Sequence, residues 1–595
     1  MNDIEDSLDD KNSQNSQESS ELEEFVSELV SIEEDIDRVS RDLKRKYQIN
    51  PSKQEIHKMF REKFSNRKIS PKLRKWMIKK QVRSNSGVLV VTIVLAPNKF
   101  SCKYDCAYCP QETDLSGNPT QPRSYLSNEP AMLRALESNF DIKGQFNSRI
   151  NSYKITGNIL DENSSKIEVI FSGGTWESYP IEYREQVIRE LYWAANSVES
   201  ERDSLTVEEE IRINETAKYR IIGFTLETRP DNITKETIQQ YRRWGVTRIQ
   251  IGVQHYDNDI LRKVNRKSYT KDTIRAIRLL KQAGLKVVVH LMPDLPGSSP
   301  EQDKWMFYEA NYNPDLQFDD IKIYPTAVVK TFDDKHIVKS KIYEMYQAGE
   351  FTPYSEKNLQ DLIDVCIYYK TQINPWVRIQ RLVRDIPSTD IAAGYNKISN
   401  LRQIIHTQMK EKNLRCYCIR CNEIGEKEHD NYTPLLVVRK YQASHGIEYH
   451  ISIEAHSMLL FQKFFYYCTI LWNLILLLIT NKQYYWGGDL HTYVGLYGFL
   501  RLRFDPEAGG DFIPEINHCA LIREVHVYGT AMGVGSEGSG SQHRGYGKLL
   551  MKVAEEISVE NKYTKIAVIS GVGTREYYRN KCGYHLEGTY MMKYI

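Results

Sequence analysis

The chain has 595 residues and a mass of 69.5 kDa, with 41% hydrophobic and 27% charged residues, proportions that fit a soluble globular protein of two or three domains. Its net charge of +2 hides a segregation, since residues 1–40 carry fourteen acidic against two basic residues and residues 41–83 carry sixteen basic against three acidic. Ten cysteines, six of them in two tight clusters, argue against a disulfide scaffold and for metal, and with no apolar run after a basic start a reducing cytoplasmic setting, or also a nuclear one, is expected.

In chain order, residues 1–40 read as an acidic disordered tail and residues 41–85 as a basic helical segment with Trp76 and Ile78 as anchors. Gly87 then opens the apolar run VLVVTIVLAP, a buried strand, and a cysteine loop follows it. From residue 86 to about 330, strand-like runs such as IEVIFSGGT, YRIIGFTLETRP, TRIQIGVQ, LKVVVHLMPDLPG and DDIKIYPT alternate with helical stretches. That alternation predicts parallel strands with right-handed helical crossovers, an α/β fold built as a partial barrel. Active sites of such barrels lie at the C-terminal strand ends. Ser172 to Thr175, Glu227, Arg229, Gln254, His290 and Lys322 are therefore expected at one mouth. Residues 331–440 read as a linker carrying the second cysteine cluster and the basic stretch Arg378 to Arg384, and residues 441–595 as an α+β domain of acyltransferase type.

Cys102, Cys106 and Cys109 have the spacing C-x₃-C-x₂-C, by which three thiolates on one loop hold three irons of a 4Fe-4S cluster and leave the fourth open to chelate S-adenosylmethionine. The loop resembles that of the radical-SAM superfamily, which implies an adenine packed near an aromatic such as Tyr108, just before the last cysteine, and Gly173 and Gly174 let backbone groups approach a ligand's ammonium. Glu227 and Arg229, two apart on an extended strand end, suit ribose or a carboxylate, and Gln254 takes an equivalent place. Lys322 is expected to face acetyl-CoA or RNA as a cation.

Near the C-terminus, Gln542, Arg544, Gly545, Tyr546 and Gly547 form a Q-x-x-G-x-G turn before a helix, whose free N–H groups suit the pyrophosphate of coenzyme A. The preceding strand with Val525, His526 and Val527 is placed to flank the pantetheine and thioester. Of Tyr577 and Tyr578, one is expected to protonate a leaving thiolate.

Taken together, IREVHVYG, QHRGYGKLLM, KIAVISGVGTREYYR and CGYHLEGTYM, with the upstream ETRPD, IGVQ, HLMPDLP and IKIYPT, resemble the catalytic subunit family of the Elongator complex from about residue 70 to the end. The resemblance implies a radical-SAM barrel joined to a Gcn5-related acetyltransferase domain, with transfer RNA as substrate and Elongator-type subunits as partners. It further implies that a 5′-deoxyadenosyl radical takes hydrogen from the acetyl methyl of acetyl-CoA. The carbon radical then adds to C5 of uridine 34, and hydrolysis leaves 5-carboxymethyluridine. Cys416, Cys418 and Cys421 match a zinc site seen in members of the family, with His429 or His406 as the expected fourth ligand. The Lys and Arg of residues 41–83, with Arg378, Arg381 and Arg384, are expected to neutralise RNA phosphates.

Two features differ from the family. Gln111 and Glu112 stand where two glycines are usual, and residues 458–485 interrupt the start of the acetyltransferase sheet. Within that stretch, Phe464 to Ile479 is apolar but for Thr469 and Asn473, and its about 16 residues fall short of the roughly 20 that span a bilayer. It reads as a translated non-coding segment in preference to a membrane-associating insertion. Two other functions compete: a protein lysine acetyltransferase with Glu524 as base, and a catalytically weakened scaffold that binds RNA or Elongator subunits.

Overall fold

The computed structural model describes residues 20–33, 35–64, 67, 70, 73, 76, 87–155, 165–330, 336–384, 386–395, 400–424, 432–457, 493–528 and 545–595. Two compact units divide the chain, one of residues 1–83 with 147–165 and one of residues 84–146 with 166–595.

In the first unit, helix α1 (Ile36–Lys46) and helix α2 (Lys53–Lys63) surround an apolar centre. Ser52 and Glu55 start α2 as a reciprocal capping box. The acidic segment expected to be disordered through residue 40 is folded from Ser20 onward, because Phe25, Val26, Leu29 and Val30 bury a helical stripe in this centre together with Leu43, Ile56 and Phe60. Charge dominates the composition there, yet apolar spacing decides the fold.

The second unit contains two seven-stranded sheets. The first runs in the order β1 (Val88–Val94), β2 (Ser165–Ser172), β3 (Tyr219–Thr228), β4 (Arg248–Gln254), β5 (Lys286–Leu291), β6 (Asp320–Ile323) and β7 (Arg378–Arg381). Strands β1 and β2 pair in parallel, as does each neighbouring pair from β3 to β7. Helices α3 (Ile181–Asn196), α4 (Lys235–Arg243), α5 (Thr270–Gln282) and α6 (Pro300–Tyr312) make the crossovers between β2 and β6. Every position of β5 is buried, as expected of a strand covered on both faces, and each such aliphatic side chain contributes ~1.5–3 kcal/mol. The sheet is open, since among the described residues no strand pairs β1 with β7. Strand β7 lies within the segment read as a linker.

The second sheet has the order β8 (Thr433–Ala443), β9 (Gly446–His456), β10 (Tyr493–Phe504), β11 (Ala520–Val527), β12 (Lys565–Val568), β14 (Tyr590–Tyr594) and β13 (His585–Glu587). It is antiparallel except where β11 meets β12. Helices α7 (Tyr546–Glu560) and α8 (Arg575–Cys582) complete this mixed domain, with Leu550, Val553, Ala554 and Ile557 of α7 buried against the sheet.

A buried charge network joins the two sheets. Arg523 of β11 donates twice to Asp319, at 2.9 and 2.6 Å, and once to Glu448 of β9 at 2.9 Å. Lys281 of α5 meets Glu448 at 2.7 Å. These groups are fully buried, where breaking one pair typically costs ~3–5 kcal/mol. The loop after β12 also packs on β3, where a Cβ at Gly571 would stand 2.0 Å from the carbonyl oxygen of Ile222. Only glycine fits there.

Candidate active site

Strand β1 ends in the cysteine loop, and β2, β3, β4 and β5 bring their C-terminal ends to the same side. Ala107 N donates to Val264 O at 2.9 Å, which fixes the loop to the segment following β4. Cys106 is buried, while Cys102 and Cys109 are half-buried. Arg229, just beyond β3, places Nη1 3.7 Å from Cys106 Sγ and stacks its guanidinium 3.7 Å from the Tyr104 ring centre. Arg266 places Nη1 3.8 Å from the same sulfur. Burial opposes ionisation of Cys106, but Arg266 and Arg229 outweigh it and hold the thiol below its ordinary range. The Tyr108 hydroxyl is buried, and it too favours the ionised Cys106.

Gly173 and Gly174 follow β2 with φ of 152° and 80°, and a Cβ at Gly174 would press on the Phe100 ring at 3.3 Å. Glu227 and Arg229 turn to different partners: Glu227 accepts from Tyr125 Oη at 2.6 Å, and Arg229 pairs with Asp231 at 2.9 Å. Burial raises the Glu227 carboxyl. Gln254 holds a φ of 76°, unusual outside glycine, at the end of β4. Deeper in the sheet Lys322 Nζ donates to Gln250 Oε1 at 2.6 Å, and His290 Nε2 lies 3.1 Å from the same oxygen. Burial, offset in part by Glu227, brings Lys322 down to about 8. Gln250 Nε2 has no hydrogen-bond partner although the residue is buried. Residues Gln250, Tyr125, Arg123 and Arg266 escaped sequence reasoning. Only Gln250 carried a signal there, lying two and four positions before Gly252 and Gln254 on one strand face.

The glycine-poor loop after the cluster has its own logic. Gln111 to Asp114 pairs antiparallel with His336 to Lys339, and buried Glu112 accepts from Thr120 Oγ1 at 2.8 Å and Ser127 N at 2.9 Å. Glu112 thus fastens the loop.

In the second sheet, β11 pairs with β12 from Ala520 to Ile522, and among the described residues no strand pairs with Arg523 to Val527 on that side. Val525, His526 and Val527 lie in that stretch, and Gly545 caps the N-terminus of α7 beside Tyr546 and Gly547. The Tyr577 hydroxyl stands where a Cβ at Gly547 would meet it at 3.1 Å, whereas Tyr578 packs in the apolar core. Gln542 and Arg544 lie outside the described residues, as do His429 and residues 458–492. Burial lowers His526 to about 3. Glu524 is held by Lys286 and by Arg501 at 2.9 Å, and the two cations, overcoming burial, keep its carboxyl well below the usual range. The base expected for direct acetyl transfer to lysine is therefore committed to the sheet interface.

Cys416, Cys418 and Cys421 have sulfurs all within 4.8 Å of one another, and among the described residues no other trio of His, Cys or acidic donors is that compact. Tetrahedral zinc with ~2.3 Å bonds fits such a trio. Cys102, Cys106 and Cys109 do not meet that spacing, which suits thiolates that each bind a different iron. Lys370 Nζ lies 3.6 Å from Cys421 Sγ, and Cys421 also interacts electrostatically with His406. The trio sits between the sheets: Ile419 N donates to Val377 O at 3.0 Å and Ile424 N to Leu496 O at 3.1 Å. The arginines Arg378 and Arg384, expected on RNA phosphates, are spent internally. Arg378 pairs with Glu423 and donates to Tyr528 Oη at 3.1 Å, and Arg384 pairs with Glu129 at 2.7 Å. No helix among the described residues is long and apolar enough to cross a membrane.

Residues 100–307 match the Radical SAM superfamily, and residues 318–411 the Radical_SAM C-terminal domain. The tRNA uridine(34) acetyltransferase of Methanocaldococcus infernus is 38% identical over 572 residues, 94% of this chain and 95% of that one. Elongator complex protein 3 of Homo sapiens is 33% identical over 87% of this chain and 86% of its own. Among solved structures, the archaeal Methanocaldococcus infernus Elp3 with N-terminus deletion (1-46) aligns with a TM-score of 0.64 at 34% identity, covering 86% of this chain and 100% of that one.

Proposed function

The chain belongs to the family of the tRNA uridine(34) acetyltransferases and Elongator complex protein 3, and from that premise we propose that it forms 5-carboxymethyluridine at the wobble position of transfer RNA from acetyl-CoA. It is an enzyme of the radical-SAM type that modifies the wobble uridine of transfer RNA. The observation that carries the reading is the cysteine loop flanked by two buried guanidiniums at the C-terminal ends of a parallel sheet, in one folded unit with an acyltransferase-like sheet whose β11 pairs with β12 over Ala520 to Ile522.

In this reading Cys102, Cys106 and Cys109 hold a 4Fe-4S cluster, which with S-adenosylmethionine supplies a 5′-deoxyadenosyl radical when both are bound. Gly173 and Gly174 present backbone to the methionyl ammonium, Tyr108 and Gln254 border the adenine, and Glu227 and Arg229 take the ribose and carboxylate sides. The free N–H groups of Gly545, Tyr546 and Gly547, with Gln542 and Arg544 before them, receive the pyrophosphate of acetyl-CoA. Val525, His526 and Val527, on β11 beyond its pairing with β12, flank the pantetheine. Tyr577, beside Gly547, gives its proton to the departing thiolate; Tyr578, in the core, orients it. Lys322 presents an ammonium to the acetyl carbonyl or the RNA. Cys416, Cys418 and Cys421 bind a structural zinc, transfer RNA binds through the basic segment of residues 41–83, and Elongator-type subunits are the partners.

The test is anaerobic reconstitution with reductant, S-adenosylmethionine, acetyl-CoA and transfer RNA, read by mass spectrometry. 5′-Deoxyadenosine and carboxymethyluridine are expected, and both vanish in Cys106→Ala. Acetyl transfer to a peptide that survives this substitution, with no nucleoside product, would overturn the proposal.

A further inference from the structure

Arg123, Arg229 and Arg266 stand against the cysteine loop, and their counter-charges differ. Arg123, which interacts electrostatically with Cys109, is paired with Asp105 at 2.7 Å. Arg229 is paired with Asp231 at 2.9 Å, and Asp231 also accepts from Tyr104 Oη at 2.7 Å. Arg266 has no carboxylate within ion-pair distance among the described residues, although it is only 5% exposed. Its Nη2 donates to Gly252 O, its Nη1 points at Cys106 Sγ at 3.8 Å, and its Nε has no partner.

An unpaired guanidinium taken out of water is costly, so buried cations are found with a counter-charge. Here the negative group that the fold brings into contact with Arg266 is a cysteine sulfur, while Asp231 acts on it only from beyond ion-pair distance. We infer that Arg266, with Arg229 as the partly neutralised second cation, sets the reduction potential of the cluster held by Cys102, Cys106 and Cys109. The inference rests on the cluster assignment made above.

Reduction adds one electron to the cluster and makes it more negative by one charge, with no bond made or broken. The electron comes from a low-potential one-electron donor, dithionite in the assay. A fixed positive charge beside Cys106 stabilises the reduced form more than the oxidised one, because attraction grows with the charge attracted and is weakly screened in a buried site. Arg266 therefore raises the potential. Asp231, which partly cancels Arg229, lowers it.

The full-length protein is reconstituted anaerobically and titrated with dithionite, and the reduced fraction is read by electron paramagnetic resonance. In Arg266→Gln, which keeps donors but loses the charge, about one tenth of the cluster is expected to be reduced at the wild-type midpoint potential, a tenfold shift of ~59 mV for one electron. Arg266→Lys, which keeps the charge, is expected to move by less than a third of that. Asp231→Asn is expected to move the midpoint the opposite way. A loaded Arg266→Gln protein with the wild-type midpoint, or an equal fall in Arg266→Lys, overturns the inference in favour of a merely structural tie to Gly252. If Arg266→Gln takes up no cluster, Asp231→Asn decides alone, and an unchanged or lowered midpoint there overturns the inference as well. A wild-type protein that binds fewer than four irons would sink the cluster assignment instead, so the two failures are distinguishable.

Discussion

Lys322 shows how burial and pairing set one residue's chemistry. Its ammonium donates to Gln250 Oε1, and burial, with Glu227 opposing, brings it from 10.5 to about 8. At neutral pH it stays protonated, and activity that needs the ammonium is expected to fall as pH rises through about 8. Its effect on stability has the other sign. The unfolded chain binds the proton up to the ordinary value, the folded chain only to about 8, so the contribution of Lys322 to stability rises between these two values. Lys322→Met is expected to lose about 10²-fold in nucleoside product and the alkaline limb with it, if the ammonium stabilises developing negative charge. Single-turnover rates across pH 6 to about 9, bracketing a buried lysine's shifted range, check this. A limb that persists unchanged in the variant assigns it to another group.

The elements most legible in the sequence are those whose burial is simplest. Strand β5 is buried throughout and reads as one apolar run, and β2 alternates cleanly. Strand β7, four residues with a single buried position, carries too little pattern to be seen. Arg266 was invisible for another reason: it follows a short helix and reaches Cys106 across 160 positions, a relation no local spacing records. The compact cysteine trio, by contrast, was fully legible. Its position between Val377 and Leu496 gives a metal there a bracing role. Cys418→Ser is expected to lose one zinc per chain while the iron content stays at four. The thermal midpoint should drop by roughly 2–4 °C for each kcal/mol lost, with cleavage by protease appearing near residues 412–432. Metal analysis with limited proteolysis decides it, and a variant of unchanged stability would remove zinc from the account of the junction.

At the scale of the whole molecule, the acyltransferase-like sheet meets the N-terminal ends of β5 and β6 through Glu524 on Lys286 and Arg501 on Asp319, while the cysteine loop lies toward the C-terminal ends of the parallel strands. Strand β9 pairs with β10 along its length, and the last pair is His456 with Tyr493, so residues 457–492 depart and return at adjacent points of one antiparallel ladder. That is the connection of a hairpin, and the sheet on both sides of it is complete. The cost of closing a loop grows only logarithmically, ~0.6 kcal/mol per doubling, so shortening this one about sixfold gains about 1.5 kcal/mol. Replacing residues 458–491 by a four-residue turn is therefore expected to keep the fold, raise the unfolding free energy by that amount and leave acetyl-CoA affinity within about twofold. Denaturant unfolding and calorimetric titration of the two proteins measure both quantities. A shortened chain that unfolds or loses acetyl-CoA would show that the stretch takes part in the domain it joins.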